Sequence, residues 1–123
     1  MRYLTDRKRA VGRGAAHSGT SHHWHMQISA FGLALIVPTF LFIFGRALGG
    51  TYEEAIAVFS RPIPAIVTGL VLVVGMQHFR NGMQSVLDDY TKKSTRKVLI
   101  MIIAALSYGL TATGLYALVK IAL

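Results

Sequence analysis

No Asp, Glu, Lys or Arg interrupts residues 26–45, and this uncharged run decides what the chain can fold into. A bilayer core is about 30 Å thick and takes roughly 20 apolar helical residues to cross. Residues 26–48 therefore read as a membrane span. Pro38 lies inside it and predicts a kink. Gly45, Gly49 and Gly50 mark its end. A second apolar run opens on Pro62-Ile63-Pro64 and continues to Met76. Proline suits the first turn of a helix, where its missing N–H would have no partner anyway. The helix then turns polar at Gln77, His78, Arg80 and Asn81 and is expected to persist to Tyr90, giving a span over 63–90. A third span covers 98–122. There Ala105, Gly109 and Thr113 recur every fourth residue as a small-residue stripe suited to close helix packing.

These blocks predict an all-α integral membrane protein with one domain, residues 26–123, preceded by a basic arm over residues 1–25. Arg2, Arg7, Lys8, Arg9 and Arg13 stand in that arm against a single Asp6. Lys92, Lys93, Arg96 and Lys97 form a second basic cluster, read as a loop over 91–97. A formal net charge of +8 would raise nucleic-acid binding in a soluble chain, but here most of it flanks apolar spans. The positive-inside rule accounts for that placement without nucleic acid. It puts the N-terminus and the 91–97 loop in the cytoplasm and the C-terminus outside, the parity that three spans require. Residues 46–61 balance Glu53 and Glu54 against two arginines and read as an outer loop. No apolar stretch follows directly on the basic start. A cleaved secretory signal is therefore not expected. The Arg-rich, acid-poor start also suits a mitochondrial transit peptide, and between the two a bacterial inner-membrane protein is the expectation. The chain has no cysteine, so it supplies no disulfide, thiolate metal site or iron–sulfur ligand.

Two stretches carry chemistry. His22, His23, Trp24 and His25 abut the first span. An interfacial belt explains them, and adjacent histidines without a fourth ligand are weak grounds for a metal site. The other stretch is 78–90. At about 100° per residue, His78, Gly82, Ser85 and Asp89 fall on nearly one line of a helix, with Gly75 close to it. An imidazole thus has a glycine about one turn away on either side and an acid about three turns below. A membrane histidine of this kind can hydrogen-bond a neighbouring helix, or its neutral ring can ligate haem iron while the glycines clear space for the cofactor. Tyr90 can be an aromatic-belt residue and Asp89 a helix-end acid paired with Lys92 or Lys93. Arg80 points about 200° from His78 and is expected to snorkel to the headgroups. Asp88 reads as a solvated charge, and Ser85 as close packing or a hydrogen bond within the pocket.

The pattern His78-x-x-x-Gly82, followed by Asp89-Tyr90 at the end of the second of three spans, resembles the small, D-type membrane anchor of succinate dehydrogenase, respiratory complex II. The resemblance implies a set of expectations. His78 is an axial ligand of a b-type haem, with Gly82 giving it clearance, and the second ligand comes from a homologous three-helix companion, the C-type cytochrome b anchor subunit. Tyr90 donates a hydrogen bond to ubiquinone, with Asp89 beside it. An iron–sulfur subunit and a flavoprotein dock on the cytoplasmic side, so that electrons from succinate oxidation in the tricarboxylic acid cycle reach the respiratory chain. The chain itself performs no succinate chemistry. It departs from the family at the entry to the first span, where a basic residue near the haem propionates is matched by Gln27. His22, His23 or Arg80 are the candidates to supply that charge. The rival readings are a quinol:fumarate reductase anchor, a b-haem subunit of another respiratory enzyme, and a small transport or structural membrane protein without haem.

Overall fold

The structure is a computed structural model, and it describes residues 3–12, 14 and 19–123. Arg2 and Arg13 of the basic arm lie outside the described residues. Five helices follow in order: α1 (Asp6–Val11), α2 (Gly19–Ala47), α3 (Tyr52–Phe59), α4 (Pro62–Tyr90) and α5 (Lys93–Ala122). Three of them, α2, α4 and α5, are long and apolar enough to cross a membrane. No strand occurs among the described residues. The all-α, three-span reading therefore holds.

The boundaries differ from the expected ones in three places. First, α2 begins at Gly19, ahead of the span read from residue 26, so His22, His23, Trp24 and His25 ride on its opening turns. No proline interrupts this segment, and the ring of His25 bonds back to the Ser21 carbonyl at 2.7 Å. The helix also runs through Pro38 without a break. Second, half of the outer loop is helical. Thr51 accepts from the Glu54 N–H at 3.3 Å, and the Thr51 N–H donates to the Glu54 carboxylate at 2.8 Å. This reciprocal capping box starts α3. Third, the turn after α4 is only Thr91 and Lys92, so Lys93, Arg96 and Lys97 lie on α5 and not in a loop. The tightness of that turn shows at Lys93, whose φ of 35° is in the left-handed region. For a residue with a side chain this costs on the order of 1 kcal/mol or more.

The long helices form a layer one helix thick. The α4 helix packs against α2 on one side and α5 on the other, while α2 and α5 do not touch each other. Both seams are antiparallel, as their registers show. On the first, His22 meets Ser85 and Ser29 meets His78. On the second, Asp88 meets Arg96 and Arg80 meets Tyr108. Such a layer encloses little. Among the described residues only Leu87, Asn81 and Ser107 are buried. The accessible surface is 9759 Å². A compact monomeric protein of this mass would expose roughly 6500 Å².

The small-residue stripe of α5 does not face α4. Ala105, Gly109 and Thr113 are exposed, and a Cβ added at Gly109 would meet nothing within 4 Å. Close approach occurs instead at Gly114, where an added Cβ would lie 2.8 Å from a Leu72 methyl, and at Gly69, which faces Leu115 and Leu118. Both stripes have helical spacing, and only packing selects between them. Gly114→Val should therefore overpack the seam, at about 1–3 kcal/mol. The thermal midpoint of the assembled protein would fall, and Leu72→Ala in the same chain would restore most of the loss. A Gly114→Val protein as stable as the parent would show that the seam can shift to make room.

Candidate functional site

The seam between α2 and α4 gathers most of the polar groups near His78. Residues 22, 26, 29 and 33 of α2 recur at helical spacing and face residues 85, 82, 78 and 75 of α4. Ser29 is central. Its oxygen lies 2.8 Å from His78 Nδ1 and 3.0 Å from the Met26 carbonyl. A hydroxyl has one proton to give and a carbonyl can only accept. With that proton on Met26, the Ser29 oxygen accepts from His78 Nδ1–H. The ring is then held as the Nδ1–H tautomer, and the Nε2 lone pair is left without a proton. His78 is half-buried.

Gly75 and Gly82 lie on the same seam. An added Cβ at Gly82 would stand 3.7 Å from the Met26 terminal methyl, and one at Gly75 would stand 3.9 Å from a Leu33 methyl. In this chain the two glycines receive side chains of α2 above and below His78. Ser85 lies at the end of the seam. Its hydroxyl is 3.3 Å from the Asn81 carbonyl and 3.4 Å from His22 Nε2.

Beside the seam, on one open face of the layer, lies a cleft of 440 Å³. It is lined by His25, Ile28, Gly32, Val73, Gln77 and Asn81. His25 has committed Nδ1–H to the Ser21 carbonyl. Asn81 is one of the few buried residues in the chain. Gln27 faces elsewhere, grouped with Trp24, Ile28 and Phe31 on the outer side of α2. Among the described residues no three His, Cys, Asp or Glu side chains converge as a metal site, so the histidines of α2 form no such cluster.

Arg80 does not snorkel. It turns onto α5, where its guanidinium lies over the Tyr108 ring at 5.0 Å and donates to the Tyr108 hydroxyl. Buried Ser107, whose hydroxyl has no hydrogen-bond partner, lines a small cavity beside this pair. At the far end of α4, Asp88 is exposed, as expected of a solvated charge, and its carboxylate lies 3.5 Å from Arg96. Asp89 and Tyr90 are exposed, Tyr90 by 85%. They lie about 18 Å along the helix axis from His78, at 1.5 Å per residue. The site residues therefore fall into two groups on one helix. His78, Gly82 and Ser85 lie in the α2 seam, and Asp89 and Tyr90 stand at the helix end. Ser29 was not singled out from the sequence, because a serine on an apolar span carries no signal until its partner 49 residues away is known.

Three membrane helices in one layer, with an intramembrane histidine on the middle one, define a small helical membrane subunit. The chain belongs to the succinate dehydrogenase/fumarate reductase transmembrane subunit family, which matches residues 1–113. It is 42% identical over 123 residues to the succinate dehydrogenase hydrophobic membrane anchor subunit of Paracoccus denitrificans, an alignment covering 100% of this chain and 95% of that protein. No solved structure matches it. The chain is a multi-pass membrane anchor of succinate dehydrogenase, and as such it associates with other subunits of that complex.

Proposed function

We propose that this anchor ligates a b-type haem through His78 and contributes Tyr90 to a ubiquinone-reduction site. The observation that carries the haem reading is the Ser29–His78 bond at 2.8 Å. Histidines that ligate metals donate their other ring N–H to a fixed acceptor, which sets the tautomer and the ring orientation. With the Ser29 proton on the Met26 carbonyl, His78 takes that arrangement, and Nε2 is left as the ligating atom. A bis-histidine site needs a second imidazole; α4 carries no other histidine, and on this reading the partner cytochrome b subunit supplies it. The haem, when bound, provides a one-electron carrier within the membrane. Ser29 holds the ring, while Met26 and Leu33 close over the glycines beside it.

Tyr90 supports the quinone reading by its position. An exposed phenol at the end of a span longer than the hydrocarbon core stands at the headgroup level, where a quinone ring and a docked soluble subunit can meet it. Its O–H donates to the oxygen on which negative charge develops during reduction. Asp89 adjoins it and can pass protons. The other walls of the site belong to further subunits, an iron–sulfur protein and behind it a flavoprotein. On this reading both dock on the cytoplasmic side of a bacterial inner membrane, an orientation that the basic groups on α1 and at the start of α5 support. The name of the relative, a succinate dehydrogenase subunit, supports succinate oxidation over fumarate reduction as the direction.

A reduced-minus-oxidised visible spectrum of the complex extracted from its native membrane tests the assignment. A b-type band together with flavin absorbance supports it. Flavin without any b-type band removes the haem from the complex and with it the role of His78. Ser29→Ala probes the ring support: haem affinity should fall roughly 10- to 100-fold, with a shift in midpoint potential. Unchanged haem retention and potential would show that the Ser29 contact does not govern ligation.

A further inference from the structure

The reversal between α4 and α5 uses only Thr91 and Lys92. Helix ends leave carbonyls without intrahelical donors, and here one side chain collects two of them. Arg96, on the first turns of α5, donates from Nη2 to the Asp88 carbonyl at 3.0 Å and to the Thr91 carbonyl at 2.8 Å. Nε adds a longer bond to the Thr91 carbonyl at 3.3 Å. Nη1 lies 3.5 Å from the Asp88 carboxylate. The two anchored carbonyls straddle Asp89 and Tyr90. Neither of those residues makes a side-chain hydrogen bond or ion pair among the described residues. The direction in which Tyr90 projects is therefore set by its backbone and its rotamer, and Arg96 holds the backbone on both sides of it. The left-handed Lys93, at φ 35°, is the other constraint on this turn.

We infer that Arg96 is a positioning residue for the quinone contact, a clamp that fixes the Asp89–Tyr90 backbone so that the phenol meets its acceptor at a constant place. The inference rests on the reading of Tyr90 given above. It depends on the shape of the guanidinium as much as on its charge. A planar fork can bridge two carbonyls and a carboxylate, and a lysine ammonium on a flexible stem does not reproduce that geometry. Small misplacements of a reacting group lower rates steeply.

The test uses the assembled complex in native membranes and compares Arg96→Gln, Arg96→Lys and Tyr90→Phe. Each is assayed with a short-chain ubiquinone and, separately, with a soluble dye that takes electrons before the membrane. For Arg96→Gln, kcat/KM for the quinone should fall roughly tenfold or more, with the dye rate and the haem spectrum unchanged. Arg96→Lys, which keeps the charge, should recover little of the loss. Full recovery by lysine would overturn the clamp, since charge alone would then suffice. Unaltered quinone kinetics in Arg96→Gln, beside a strong loss in Tyr90→Phe, would overturn it while leaving the Tyr90 reading intact. No loss in Tyr90→Phe would instead remove the Tyr90 reading itself. Should Arg96→Gln not accumulate, Arg96→Lys decides alone: a reduced quinone kcat/KM at an unchanged dye rate supports the clamp, and parental kinetics overturn it.

Discussion

Replacing His78 with leucine should abolish the low-spin b-type spectrum of the assembled complex or convert it to a high-spin, five-coordinate form, while the subunits still co-purify. Leucine is close in volume to the imidazole and keeps Gly75 and Gly82 facing Met26 and Leu33, so α2 and α4 can still pack. What it removes is the only imidazole that α4 offers. The Ser29 hydroxyl keeps its bond to the Met26 carbonyl at 3.0 Å, so no buried donor is orphaned by the change. The loss should therefore read out in the spectrum rather than in assembly. An unaltered reduced-minus-oxidised spectrum in His78→Leu would exclude it as a ligand.

Tyr90→Phe should lower ubiquinone reduction by about a hundredfold, the lower end of the range for removing one preorganised donor to a developing oxyanion. Reduction of a soluble dye should stay at the parental rate. The residue is 85% exposed, so the substitution disturbs no packing within this chain. It removes a donor and little else. Equal losses in the two assays would mean that the substitution acts on assembly, and the quinone role would fall.

The spans were readable because they rest on one-dimensional facts: uncharged runs long enough to cross a bilayer, with Pro62 and Pro64 where a helix can begin. The second helix was legible to its last residue, Tyr90. One further signal was available and passed over. The Thr51-x-x-Glu54 spacing marks a capping box, and it starts the helix that fills half of the outer loop.

What was not readable depends on which faces meet. Helical spacing makes Ala105, Gly109 and Thr113 as good a contact stripe as the one containing Gly114, and nothing local tells them apart. Arg80 looked free to snorkel because its acceptor, the Tyr108 hydroxyl, is 28 residues away on another helix. The Ser29–His78 bond and the Arg96 clamp have the same character. Each joins residues that become neighbours only once the antiparallel register is set. The motif residues stood out by type and spacing, whereas the groups that hold them did not.

A layer one helix thick has two broad faces and no interior, and this bears on how the chain survives before it is joined to anything. Acyl chains are good company for Phe31, Leu35 and Phe42, all well exposed. They are poor company for the cleft that carries His25, Gln77 and Asn81, whose polar groups lipid cannot satisfy. A newly inserted copy therefore has an outer edge on α2 that is at ease in the bilayer and a cleft that is not. Proteins left marginally stable in the cell are triaged by chaperones and proteases. The steady-state amount of the subunit should then follow the supply of protein that covers this face rather than the rate at which the chain is made.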